Sequence, residues 1–306
     1  MKRIALLLLV LLFVISLSSC ELKEVNDDKK SVVCLGFAEY DWTRNIVGES
    51  EGVAVSLLRD SGVDIHSYQP TAADLMDVSS AELLIYVASP TFAGFDDDIA
   101  DMATSTLDLL EYSGVGEHDH SQRHDHDHTE DEHIWLSLSH AVECCMIISE
   151  KLSELDPKNA EIYEVNAKEY IKELTLLDAE YREAVSLSKN KTLVFVDRYP
   201  FAHMAHDYSL ECHAAFSGCT GESEASFETI AHLITAVDEN GLDCVITVDG
   251  SDEKIARAVI SSTKTKDQHI LTLDSMQVLG REDIENGVTY IAVMRDNLEV
   301  LRQALG

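Results

Sequence analysis

The sequence predicts an α/β protein of two lobes, each a mainly parallel sheet flanked by helices, joined by one long rigid helix. Three observations carry this. Short apolar, β-branched runs alternate with helical spacing through residues 32–111. The same alternation returns after residue 190. Between the two halves runs a helical pattern that no Gly or Pro interrupts from 158 to 188.

Taken in order, VVCLGF at 32–37 reads as a buried strand, and Tyr40 to Glu49 has helical spacing. VAVSLL at 53–58 is a second strand, followed by a loop through His66. Thr71-Ala72-Ala73-Asp74, preceded by Pro70, is a capping box that opens a helix. ELLIYVA at 82–88 is a third strand and 97–111 a helix. Helical spacing resumes at Ile134 and continues to about Leu155, where Asp156-Pro157 interrupts it. The following 30 or so residues, at 1.5 Å rise each, make a rod of about 45 Å. In the second half, strands are predicted at 192–196, 211–216, 244–248 and 268–273, with helices near 200–208, 225–239, 252–264 and 293–305. The domain expectation is a signal peptide at 1–20, a tether at 21–31, an N-terminal lobe at 32–156, a connecting helix at 157–189 and a C-terminal lobe at 190–306.

The start of the chain bears on compartment. Lys2 and Arg3 precede an apolar run at 4–15 that is too short for a comfortable membrane span. Leu17-Ser18-Ser19-Cys20 resembles a bacterial lipobox, in which Cys20 becomes the lipidated N-terminus after cleavage. The expectation is an extracytoplasmic protein anchored to the cell membrane through Cys20, on a polar tether. The net charge of −33 becomes −35 once the two charges of Lys2 and Arg3 are removed. Such a field disfavours nucleic acid and anionic lipid and attracts cations, although solubility alone would explain it. A hydrophobic content of 45% argues against general disorder. The six cysteines after Cys20 include no CxxC, so neither a zinc ribbon nor a thioredoxin motif is present. Adjacent Cys144 and Cys145 point to different sides of a helix and are not expected to pair.

The chemistry-bearing residues point to a metal. Residues 116–132, GEHDHSQRHDHDHTEDE, have no apolar periodicity and carry His118, His120, His124, His126 and His128 among Asp residues. Alternating His and Asp cannot pack a core, but it presents imidazoles and carboxylates to a borderline cation. A mobile loop with many equivalent ligand sets does not define one site. His66 and His133 stand at element boundaries, and Asp197 and Asp274 end strands, where an α/β cleft opens. Singly, each reads as a surface residue or a cap. Together, two His and carboxylates suit Zn(II) or Mn(II). There is no HExxH and no base paired by spacing with either His, so a zinc hydrolase is disfavoured and no enzyme is expected.

Several stretches then resemble a known family. His66-Ser67-Tyr68-Gln69-Pro70-Thr71 and Asp131-Glu132-His133-Ile134-Trp135-Leu136 are similar to the two His-ligand motifs of the zinc/manganese substrate-binding proteins of bacterial ABC importers. Leu155-Asp156-Pro157-Lys158-Asn159-Ala160 resembles the opening of that family's connecting helix. Thr289-Tyr290, Met294, Asn297 and Leu298 resemble its final helix. The resemblance runs from about residue 33 to 305 and is greatest to a zinc-type subgroup with a His-rich loop. It implies a C-clamp with the metal between the lobes, His66 and His133 as ligands, and Asp274 as the carboxylate after the last core strand. It implies Zn(II) as cargo, with an ABC permease and ATPase as partners. One position departs from the pattern. Anchoring on Phe201 and Tyr208-Ser209-Leu210 puts Arg198 where many members carry a His or Glu ligand. Arginine stays protonated and cannot ligate a metal. Asp197, His203 and water remain as candidates, with Arg198 pairing to a carboxylate instead. Binding through neutral imidazoles should weaken as pH falls through about 6.5. A manganese or iron importer component and a lipoprotein adhesin or metal buffer are the rival readings.

Overall fold

The structure, a computed structural model, describes residues 29–60, 62–89, 97–112, 131–216, 218 and 225–306. The expected signal peptide, Cys20, Cys219 and residues 116–130 of the His-rich stretch lie outside the described residues.

The first sheet has the order β2-β1-β3-β4, from β1 (Lys30–Cys34), β2 (Val53–Leu57), β3 (Leu83–Tyr86) and β4 (Thr106–Asp108). The second has β6-β5-β7-β8, from β5 (Thr192–Phe195), β6 (Glu211–Ala214), β7 (Cys244–Val248) and β8 (His269–Leu273). Every pairing in both is parallel. The two halves thus repeat one strand order, and in each the carboxyl ends of all four strands open to the same edge, where α/β folds place ligands. Central strands read as continuous buried runs because helices cover both faces; β5 and β7 are buried at every residue.

In the first half, α1 (Phe37–Val47) follows β1, α2 (Ala72–Ser80) follows β2, and the short α3 (Asp97–Ala100) and α4 (Leu109–Tyr112) flank β4. The predicted capping box is present: Thr71 N–H donates to Asp74 Oδ2 at 2.7 Å and Asp74 N–H to Thr71 Oγ1 at 3.3 Å. The helix predicted at 97–111 is corrected. It stops at Ala100, and 106–108 joins the sheet beside β3. Thr104-Ser105-Thr106 lie where a helix would have to continue, and β-branched or hydroxyl side chains favour an edge strand there. The tether prediction of 21–31 overlaps β1, which begins at Lys30.

The helix predicted from Ile134 begins four residues later, as α5 (Leu138–Leu155). Ser137 caps it, its hydroxyl accepting the His140 N–H at 3.1 Å, and Ile134–Leu136 form a single tight turn before it. The long helix is α6 (Ala160–Leu187), 28 residues or about 42 Å. Its buried face is Tyr163, Ala167, Tyr170, Leu174, Leu177, Tyr181 and Val185, a three-and-four spacing that keeps one stripe inward. Polar groups on that stripe bind it to both halves. Tyr170 Oη donates to Asp41 Oδ2 at 3.0 Å in the first half, and Tyr181 Oη to the Met294 carbonyl at 2.6 Å in the second.

The second half adds α7 (Ala202–Tyr208), α8 (Phe227–Asn240), α9 (Lys254–Ser262), α10 (Arg281–Glu285) and α11 (Tyr290–Leu305). The turn of helix at 281–285 was not foreseen. Cys34, Cys144, Cys145, Cys212 and Cys244 are unpaired, and all but Cys212 are buried, so they act as small apolar fillers. Among the described residues no helix is long and apolar enough to cross a membrane.

The two halves meet through the loops after β2 and β8. Gly62 N–H donates to the Val278 carbonyl at 2.8 Å and Ile65 N–H to the Gln277 carbonyl at 3.1 Å. Arg59 is buried and gives Nη2 to the Leu279 carbonyl at 2.9 Å. Arg281 returns the contact, donating to the Leu57 and Leu58 carbonyls at 2.9 and 2.8 Å. Burial pushes the neighbouring Glu39 carboxyl up to about 7, with the Arg59 charge opposing that rise. This seam fixes the wall against which the His66 turn is built.

Candidate metal centre

Two tight turns carry the two histidines, and both are built by the same three-residue device. In Asp64-Ile65-His66, Asp64 Oδ1 accepts the His66 N–H at 2.9 Å, opening a turn over Ile65–Ser67. In Asp131-Glu132-His133, Asp131 Oδ1 accepts the His133 N–H at 3.0 Å. An Asp oxygen that bonds the backbone two residues on is an Asx turn, which bends the chain sharply and presents the third side chain.

The turns aim their rings at one another. His66 Nε2 and His133 Nε2 lie 3.2 Å apart, with ring centroids 5.3 Å apart. Glu132 Oε1 lies 3.7 Å from His66 Nδ1. One ligand atom from each of His66, Glu132 and His133 falls within 4.8 Å of the others, and among the described residues this is the only such group. Glu132 and His133 are buried and His66 is nearly so. Two imidazoles and a carboxylate converging out of water match the donor chemistry of Zn(II).

His133 is the better fixed donor. Its Nδ1 lies 2.6 Å from Asp131 Oδ1, an oxygen that can only accept from it. That bond puts the ring proton on Nδ1 and leaves the Nε2 lone pair facing His66, the usual arrangement of a metal-binding His with a carboxylate behind it. Burial alone would raise the Asp131 carboxyl, but the hydrogen bonds from His133 hold it below its ordinary range. Trp135 anchors the same segment: its Nε1–H donates to the Ser275 carbonyl at 2.9 Å and its carbonyl accepts Tyr290 Oη at 2.6 Å.

His203, a candidate ligand by sequence, sits behind this group. Its Nε2–H donates to the Asp131 carbonyl at 2.8 Å, so it supports the turn and does not join the cluster. Burial, with His140 and His133 nearby, lowers its proton affinity and favours the neutral ring. Arg198 stands where the resemblance places a ligand, and it makes an ion pair. Its Nη1 lies 2.7 Å from Asp64 Oδ2, on the opposite oxygen from the one that forms the His66 turn. The Asp64 carboxyl is lowered on balance: burial opposes this, and the bonds from Arg198 and the His66 N–H outweigh it.

Neither Asp197 nor Asp274 enters the three-residue cluster at this spacing. Asp197 Oδ1 accepts the Arg198 N–H at 2.8 Å. Asp274 directly follows β8, where Asn297 grips its backbone N–H and carbonyl, each at 2.8 Å. Its Oδ1 accepts the Met276 N–H at 2.7 Å. Burial, then the nearby Asp249, pushes its carboxyl up to about 6, so its charge is undercompensated and a cation would relieve it. Glu132 was not singled out from sequence as a donor. The visible signal was the repeated Asp-x-His, which would have made the residues inside both turns candidates.

A family profile described as zinc-uptake complex component A, periplasmic (ZnuA), matches residues 32–304. The chain belongs to the ZnuA family. Among curated proteins it is similar to the zinc-binding lipoprotein AdcA of Streptococcus pneumoniae, 29% identical over 99% of this chain and 61% of that protein. The chain therefore spans about three fifths of that relative. It is also 29% identical to the high-affinity zinc uptake system protein ZnuA of Bacillus subtilis, over 91% of this chain and 88% of that protein. Among solved structures, the Zn(II)-bound ZnuA-like domain of S. pneumoniae AdcA matches with TM-score 0.68 and 26% identity, over 90% of this chain and 99% of that one. Membership accounts for the repeated parallel sheets and the long helix between them, and the two-lobe α/β fold read from sequence is the family's fold.

Proposed function

We propose that this chain is the extracytoplasmic zinc-binding subunit of an ABC importer, with Zn(II) as its cargo. The observation that carries the proposal is the pair of Nε2 atoms 3.2 Å apart on two Asp-braced turns, with the buried Glu132 carboxylate beside them. His66, His133 and Glu132 hold the ion. Asp274 supplies the fourth donor, because its buried, proton-prone carboxyl gains most from a cation, and Asp197 is the competing carboxylate. The lobes divide at 32–156 and 190–306, with 157–189 as connector, and a lipid on Cys20 holds the protein at the membrane beside a permease and its ATPase. The His-rich stretch 116–132 gathers zinc from solution and raises its concentration next to His133. The long helix, bonded to both halves, restricts hinge opening, so loading orders loops more than it swings lobes.

The test is metal content of two soluble forms, one lacking residues 1–20 and one also lacking 117–130, after dialysis against trace zinc, manganese and iron. The loopless form should retain one tightly held zinc. A loopless form that retains none ends the cleft assignment and leaves a His-loop metal buffer. Retention of manganese or iron in preference to zinc changes the cargo.

A further inference from the structure

A second histidine pair lies away from the cluster, on the outer edge of the second sheet. His213 is on β6, which among the described residues pairs only with β5. His232 is on α8, whose Leu233, Ala236 and Val237 pack on that sheet in a core with Val194 and Val196. The sheet and helix are thus fixed with respect to each other, and both imidazoles emerge at the solvent face of their junction. His213 Nδ1 and His232 Nε2 are 3.1 Å apart, with ring centroids at 5.0 Å and planes at 69°.

We propose that His213 and His232 form a second, solvent-facing site for a borderline divalent cation such as Zn(II), separate from the His66–His133 cluster. Two nitrogens each about 2.0–2.1 Å from a tetrahedral ion stand roughly 3.3–3.4 Å apart. The observed spacing needs only a few tenths of an ångström of ring movement at an exposed position. The tautomer also suits the role. Glu211 Oε1 lies 3.5 Å from His213 Nε2, on the far side of that ring. A proton on Nε2, the side facing this carboxylate, leaves the Nδ1 lone pair facing His232, the arrangement that a carboxylate behind a metal-binding His favours. His232 then needs only its Nδ1–H tautomer to present a second lone pair. Glu228 lies one helical turn before His232 on the same face of α8, but among the described residues no third protein donor joins the pair. Water fills the remaining positions, so the ion exchanges readily.

The experiment is a zinc titration of the soluble chain with ¹⁵N-labelled histidine, following each ring nitrogen in long-range ¹H–¹⁵N spectra beyond the first equivalent. His213 Nδ1 and His232 Nε2 should shift together along one binding curve. His232→Gln should leave the His213 signals still over the same zinc range, lower the total by one equivalent, and leave the first equivalent unchanged. His213→Gln should do the same to His232. Ring signals that do not move in the unsubstituted chain overturn the site. So does an unchanged His213 curve in the His232→Gln chain, which would mean that the two rings form only a hydrogen bond.

Discussion

Asp64-Ile65-His66 and Asp131-Glu132-His133 are one local device with two destinations. In both, the Asp accepts the backbone N–H of its own His and turns the chain. At the second turn the same carboxylate also accepts a hydrogen bond from the His133 ring N–H, so orientation is settled within three residues. At the first turn the spare oxygen goes instead to Arg198, across in the other half. The aim of the His133 ring is therefore set locally, while the placement of His66 is coupled to the second lobe. In the proposed site, one histidine is braced within its own turn and the other through a turn tied to the second half.

The comparison breaks most visibly by removing the fixed donor. His133→Ala should weaken zinc by roughly a hundredfold or more, beyond the 10–100-fold typical of losses behind the ligands. Competition against a chromophoric chelator reads this directly. An affinity within threefold of the unsubstituted chain would remove His133 from the site. Asp131→Asn comes next. Asn keeps an acceptor for the His133 backbone but loses the charge that makes the ring a strong donor, so about a tenfold loss is expected. The matching Asp64→Asn should cost less, because Asp64 does not touch its histidine's ring. Equal losses would show that the two turns work alike after all.

Asp274 asks what the second half gives besides Arg198. Its carboxyl is raised in the folded, metal-free protein to about 6. The stability tied to its proton is fully present below the ordinary carboxylate range and is lost as pH rises through about 6. At pH 7.5 the apo protein therefore carries a buried charge, and Asp274→Asn should relieve about 1–2 kcal/mol after allowance for solvent screening. The apo melting temperature should rise by about 2–5 °C at pH 7.5, with the gain shrinking toward pH 5. Zinc affinity should fall in the same variant. A rise in stability without a loss of zinc would leave Asp274 outside the donor set and favour Asp197.

Much of this was legible in the sequence because it rests on local patterns. Strand runs, the Thr71–Asp74 box and the uninterrupted 158–188 pattern are local, and they appear as β1–β3, α2 and α6. The 97–111 segment was misread because Ile99, Ala100, Ala103 and Leu107 happen to keep helical spacing while β4 is decided by pairing with β3. His66 and His133 were readable as residues at element boundaries. Glu132 was not, since its use depends on His66 arriving from 66 residues earlier in the chain. The position of Arg198 was anomalous in sequence, but its partner is 134 residues away and only the fold supplies it. Contacts between halves are what periodicity cannot encode.

The smallest effect tests that partner. Arg198 and Asp64 are about a quarter exposed, at 28% and 21%, so the pair is partly screened. Arg198→Ala should cost about 0.5–1 kcal/mol, which is about two- to fivefold in zinc affinity if the clasp matters only when the ion is bound. The loss should appear mainly as faster zinc release, since the donors remain but the His66 turn loses its tie to the second half. Arg198→His separates position from charge. It removes the same ion pair yet places an imidazole where the resemblance implied a ligand. If it binds zinc more tightly than Arg198→Ala, the side chain at 198 reaches the ion and arginine there weakens the site while coupling the lobes. If the two variants match, the side chain at 198 does not reach the ion, and the proposed cluster of His66, Glu132 and His133 binds zinc without a donor from that position.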